Sequence, residues 1–222
     1  MNATYRYVYK GAPVNAIMAV FVLATLTSLA HSGFSAYRLQ RVKTVNDGDT
    51  ITLTDGRLVR YIGVDTPEIN YEKRRAEPFA YQARAFSREL MKAGEVRLEF
   101  DRQAKDRHGR LLAYVFLKDG TFVNAALLQQ GYGFCMSTGR NKKYRAKLLD
   151  SQREAMSAQR GIWRNWQEMG EDYIGNQRSM RLHLKTCPSA AGISIANRVY
   201  FKSSWKALWQ GYAPARGCMK RK

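Results

Sequence analysis

The alternation of apolar and polar residues between positions 42 and 136 predicts short strands joined by tight turns. VKTVNDGDTITLTDG, residues 42–56, switches between the two classes around a pair of Asp-Gly steps, the signature of a hairpin. LVRYIGV (58–64), EVRLEF (95–100) and LLAYVFL (111–117) read as further strands, the last closed by Lys118-Asp119-Gly120. The period turns helical in AYQARAFSRELMKAG (80–94), which puts Ala83, Phe86, Leu90 and Met91 on one face with Gly94 beyond the end. FVNAALLQQG (122–131) predicts a short second helix closed by Gly131, and Tyr144–Gln159 a third that stops before Gly161. Strands followed by helices point to an α+β domain built on a small β-barrel. A turn-rich break at Met169-Gly170 opens a tail, so the expected divisions are 1–36, 37–168 and 169–222.

The first segment has its own pattern. Arg6 and Lys10 precede the apolar run AIMAVFVLATLTSLA (16–30), and Ser28-Leu29-Ala30 supplies small residues for cleavage. The run is short of the roughly 20 apolar residues that a transmembrane helix needs. Export is the reading, to a secreted or periplasmic destination. Uncleaved, residues 16–30 would instead tether the protein to the inner membrane.

Composition changes the picture in one respect. Lys and Arg total 37 against 18 Asp and Glu, a formal charge of +19, which favours polyanionic partners, nucleic acid before an anionic membrane. Cys135 stands alone while Cys187 and Cys218 fall in the tail. In an oxidising compartment the latter two can pair, leaving Cys135 a buried free thiol.

Chemistry-bearing residues recur at the ends of the predicted strands. NDGDT carries Asp49, RYIGVDTPE carries Arg60, Asp65, Thr66 and Glu68, and DRHGR carries His108 and Arg110. Each alone has a structural use, as a turn former, a strand cap or a solvated surface charge. Together and in this order they resemble the staphylococcal nuclease (thermonuclease) family, in the pieces DGDT, R-x-x-x-x-DTPE, D-x-x-GR followed by LLAYVF, and VNAALLQQG. The resemblance spans about Arg41 to Trp163.

It implies a five-stranded OB-fold barrel with three helices that hydrolyses phosphodiester bonds in DNA and RNA with one calcium ion, leaving 3′-phosphate ends. It further implies that Asp49 and Asp65 bind the metal through carboxylates and Thr66 through its carbonyl. Glu68 would activate water, and Arg60 and Arg110 would clamp the phosphate. His108 stands where many members have Tyr and is a candidate substrate contact. The loop FCMSTGRNKKY lacks the aromatics that pack on the nucleotide in the best-known members, and Tyr132, Phe134 and Tyr144 flank it. A noncatalytic OB-fold module that only binds nucleic acid is the other class to weigh, although it has no use for the carboxylates. No protein partner is implied, and a monomer is expected.

In the tail, H-x-x-x-C-P, NRVYF and GY-x-P-x-x-x-C resemble a small basic Ada-like metal-binding α/β module with one thiol missing. His183, Cys187 and Cys218 leave a zinc site, one ligand short of the usual four, or a Cys187–Cys218 disulfide both open.

Overall fold

A computed structural model describes residues 38–70, 75–137 and 139–219. The segment expected to direct export, with its apolar run at 16–30, lies outside the described residues. Among those residues, no helix is long and apolar enough to cross a membrane.

In chain order the strands begin with β1 (Leu39–Val45), β2 (Thr50–Leu53), β3 (Leu58–Tyr61), β4 (Val64–Asp65), β5 (Ile69–Asn70) and β6 (Arg75–Ala76). Helix α1 (Ala80–Leu90) follows, then β7 (Glu95–Glu99), β8 (Leu111–Phe116), α2 (Val123–Gln129), β9 (Phe134–Cys135) and α3 (Arg145–Ser157). The tail contributes β10 (Tyr173–Asn176), β11 (Arg181–Leu184), α4 (Pro188–Ala191), β12 (Arg198–Phe201), α5 (Ser204–Trp209) and β13 (Ala213–Pro214).

Five strands close a barrel in the order β1-β2-β3-β8-β7. All neighbours are antiparallel except β3 and β8, which run parallel. This is the α+β barrel that the sequence predicts, with α1, α2 and α3 as its three helices. The interior is filled by Ile51, Val59, Tyr61, Val96, Ala113 and Val115, and Val123, Leu127 and Leu148 of the helices close over it. Closure removes the open edges that would otherwise template pairing with another chain.

One expected strand is broken. Residues 58–64 form β3 and β4 separated by Ile62-Gly63, where Gly63 takes a positive φ of 79°. Ile62 still donates its N–H to Ala113 at 3.0 Å, after which the chain leaves the barrel and pairs β4 with β9. The turn sends Asp65 out of the barrel wall toward its rim.

The tail forms a four-stranded sheet, β12-β10-β11-β13, with α4 and α5. From Arg38 onward the chain is one compact unit. Phe134, Ala155, Met156 and Trp163 share a hydrophobic cluster with Tyr173, Leu182, Ala207, Leu208 and Tyr212 of the tail. Buried Gln152 on α3 crosses this seam: its Oε1 accepts from Cys135 N–H at 2.6 Å and its Nε2 donates to Leu208 C=O at 2.8 Å.

Candidate active site

The turn between β1 and β2 sets the first carboxylate. Asp47 Oδ1 accepts the N–H of Asp49 at 3.1 Å, an Asx turn that bends the chain back on itself. Gly48 is pressed against the neighbouring elements, and a Cβ there would stand 2.8 Å from both Ala83 and Thr66. Only a residue without a side chain lets the turn dock so closely. The docking delivers Asp49, 2% exposed, to Thr66, whose N–H donates to Asp49 Oδ2 at 2.8 Å.

Strand register sets the partner. Thr50 pairs with Arg60 across β2 and β3, so Asp49 and Arg60 are neighbours at the barrel rim. Arg60 Nη1 is ion-paired with Asp49 Oδ1, and its Nη2 donates to Asp65 Oδ1 at 3.1 Å. One buried guanidinium therefore bridges two buried carboxylates. Burial lowers the Arg60 pKa, and the charges of Asp65 and Asp47 work against that.

Asp65, Glu68 and Arg110 complete the rim of a cleft of about 440 Å³ that Asp47, Asp49 and Arg60 also line. Burial opposes ionisation of Asp65, but Arg60, Arg216 and Arg181 outweigh it and hold the carboxyl below its usual range. Glu68, just past Pro67, is pushed upward by burial, with Arg216 pulling the other way. Arg110 precedes β8, and its Nε donates to Asp106 Oδ2 at 2.7 Å, which fixes the guanidinium at the cleft wall.

Asp49, Arg60, Asp65, Glu68 and Arg110 thus meet in one place, with Thr66 buried behind them. His108 does not join them. It is exposed on the turn, where its Nε2 accepts from Arg107 Nε at 3.1 Å, and it is not part of the cleft wall. The flanking aromatics are used in packing: Phe134 meets Trp163 edge-on at 5.4 Å, Tyr132 tilts on Phe86, and Tyr144 sits against Tyr114 with its hydroxyl donating to Glu99.

Asp47, Arg181 and Arg216 also line the cleft, although the sequence did not mark them as site residues. Asp47 had been legible only as a turn former, yet it lines the cleft, and its carboxyl is raised chiefly by burial. Its spacing in DGD, two residues from Asp49, was the available signal. Arg181 and Arg216 come from the tail. Arg181 Nη1 donates to Asp65 Oδ2 at 3.1 Å, and Arg216 pairs with Asp65 and Glu68. Arg216 belongs to the basic set of the tail, whose composition suits nucleic-acid contact, but nothing local to either arginine marks it as a partner of Asp65.

The donor set is one of hard oxygens. Carboxylates of Asp47, Asp49 and Asp65 suit calcium or magnesium, Thr66 is buried and not part of the lining, and among the described residues no thiolate or imidazole lines the cleft. The tail cluster is different. Cys187 and Cys218 are joined in a disulfide, with Cα atoms 5.6 Å apart. The zinc alternative is thereby corrected, since bonded sulfurs cannot serve as the thiolate ligands zinc requires. His183 Nδ1 lies beside the bond, 3.3 Å from Cys218 Sγ.

Comparison with known proteins identifies the family. The model of the staphylococcal nuclease homologue family matches residues 58–165, which takes in Arg60, Asp65, Thr66, Glu68 and Arg110 but not Asp47, Asp49, Arg181 or Arg216. The chain is similar to a thermonuclease of Staphylococcus intermedius, 42% identical over 125 residues, covering 55% of this chain and 74% of the relative. It is also similar to a thermonuclease of Staphylococcus hyicus, 36% identical over 62% of this chain and 80% of the relative. Endonuclease YncB of Bacillus subtilis is 37% identical over 53% of this chain and 57% of its own length. With motif, barrel, cleft and relatives in agreement, the chain belongs to the staphylococcal nuclease homologue family.

Proposed function

We propose that the protein is an exported, calcium-dependent nuclease that hydrolyses phosphodiester bonds in DNA and RNA and leaves 3′-phosphate ends. The observation that carries this reading is the meeting of Asp49, Asp65 and Glu68 with Arg60 and Arg110 in one cleft. A pure binding module would gain nothing from acidic groups beside a phosphate, because they repel it.

Asp49 and Asp65, with the carbonyl of Thr66, would hold the ion, and Asp47 lines the same cleft. When bound, the ion polarises the phosphoryl group as a Lewis acid. Glu68 takes the proton of the attacking water as the new O–P bond forms. Its upward shift from burial favours proton acceptance over the ordinary carboxylate. Negative charge then builds on the equatorial phosphate oxygens, and Arg60 and Arg110 neutralise it through their guanidinium donors. The bond to the 5′ oxygen breaks, and that oxygen takes a proton from solvent and leaves as a hydroxyl. The Cys187–Cys218 bond supports an oxidising destination for the folded chain.

The test is digestion of plasmid and RNA by purified protein with chelator and with calcium restored. Chelation is expected to abolish cleavage and calcium to return it. Glu68→Gln should lower kcat by about 10²- to 10⁴-fold while oligonucleotide affinity persists. Cleavage unaffected by removal of every divalent cation would reject the metal assignment.

A further inference from the structure

Arg216 follows β13 and reaches the two carboxylates at the heart of the proposed chemistry. Its Nη2 lies 2.5 Å from Asp65 Oδ1 and 2.6 Å from Glu68 Oε1. The segment that carries it is held on both sides. Ala215 donates its N–H to Leu182 C=O at 2.8 Å, and Cys218, two residues on, is bonded to Cys187. Arg181 braces the segment from below, donating through Nη1 to Pro214 C=O at 2.9 Å and to Asp65 Oδ2 at 3.1 Å. The backbone at Arg216 is therefore fixed, while its side chain remains 58% exposed at the cleft mouth.

We propose that Arg216 is a substrate-binding residue, a guanidinium supplied by the tail to a backbone phosphate of the nucleic-acid strand lying in the cleft. The proposal rests on the nuclease reading for its substrate class and on tail geometry for its residue. A strand carries a charge at every linkage, so one that traverses the cleft presents phosphates on either side of the one being cut. Arg60 is engaged with Asp49 and Asp65, and the Nε of Arg110 with Asp106. Arg216 contacts its two carboxylates through a single nitrogen of its fork, so a bidentate grip on phosphate is not yet used. A divalent cation on Asp65 would compete for the same oxygen and repel the guanidinium. Arg181, tied to Pro214, is the fixed member, and Arg216 is the one free to turn toward a phosphate.

The expected change is electrostatic and can be read without cleavage. Binding of a phosphorothioate-linked single-stranded oligonucleotide, which keeps its backbone charge, is measured in calcium across a range of salt for wild type, Arg216→Gln and Arg216→Lys. Arg216→Gln should bind about tenfold more weakly at low salt, with a log–log salt slope shallower by roughly 0.7, the loss of one single-strand phosphate contact. Arg216→Lys should keep the slope and recover only part of the affinity, because the charge survives and the fork does not. Calcium affinity of the same proteins is measured by titration calorimetry, and thermal unfolding confirms that each is folded. A Gln variant with the wild-type slope overturns the proposal. So does one that binds oligonucleotide as tightly as wild type and calcium more tightly, since Arg216 would then be a plug of the cation site. If wild type binds the oligonucleotide but cuts neither DNA nor RNA, the nuclease reading falls and the slope still decides the arginine.

Discussion

Arg60 reaches Asp49 and Asp65 through two different nitrogens, a geometry that a guanidinium fork makes and an ammonium does not. Arg60→Lys is therefore expected to lower kcat/KM by about 10²- to 10³-fold, the scale of losing one fixed donor to developing charge. Arg60→Ala leaves buried Asp49 without its ion pair, while Asp65 keeps Arg181 and Arg216, and should cost about 3 kcal/mol of stability without metal. Calcium should then raise the melting temperature of Arg60→Ala more than that of wild type, because the ion replaces the missing positive charge. Equal calcium shifts in the two proteins would contradict a shared site. Cys135 makes a separate prediction at this scale. The thiol is 4% exposed, and burial pushes its pKa up to about 12. At pH 8 a thiol reagent should leave the native chain unlabelled, and unfolding without reductant should expose one thiol; three would show that Cys187 and Cys218 are not bonded.

Among the elements, α5 shows how one carboxylate docks a short helix. Glu168 accepts from the N–H of Ser204 at 2.7 Å, from the Ser203 hydroxyl at 2.8 Å and from the N–H of Trp205 at 3.3 Å. It satisfies the orphan donors of the helix start from outside the helix. Burial works to raise its pKa, but the Ser204 and Ser203 donors outweigh it and hold the carboxyl below the ordinary value of 4.5. The sign follows: the stabilisation is fully present above pH 4.5 and is lost as pH falls through the folded value. Glu168→Ala should cost about 1 kcal/mol at neutral pH and progressively less on acidification. A penalty that stays constant down to pH 3 would disprove the cap. The elements themselves were largely readable in advance. The helix at 80–94 follows from periodicity because it lays one face on the barrel core, and the strand at 111–117 follows from its apolar run because β8 is buried on both faces. The break at Gly63 was less so, since an uninterrupted apolar run does not record where the chain turns out of a sheet.

Across the whole molecule, barrel and tail share a hydrophobic cluster and the Gln152 bonds that cross it. Gln152→Leu would take away the partner of the buried Cys135 N–H, while Leu208 C=O keeps the N–H of Gly211, and should cost about 1–3 kcal/mol. Residues on both sides of 168/169 should unfold in a single calorimetric transition, and two resolved transitions would show that the tail is thermally independent. By itself the amino-acid sequence determined the barrel strands, the three helices and the order Asp49, Arg60, Asp65, Glu68, Arg110. Those features are written in local spacing, where turn chemistry and alternation act over a few residues. Tertiary structure alone decided that Arg181 and Arg216, separated from Asp65 by 116 and 151 positions, would face the same carboxylate. It also decided that His108 would remain outside the cleft. The reason is that such meetings depend on how the tail sheet docks against α3 and β9. Docking is set by the shapes of two buried faces, which no periodicity along the chain encodes.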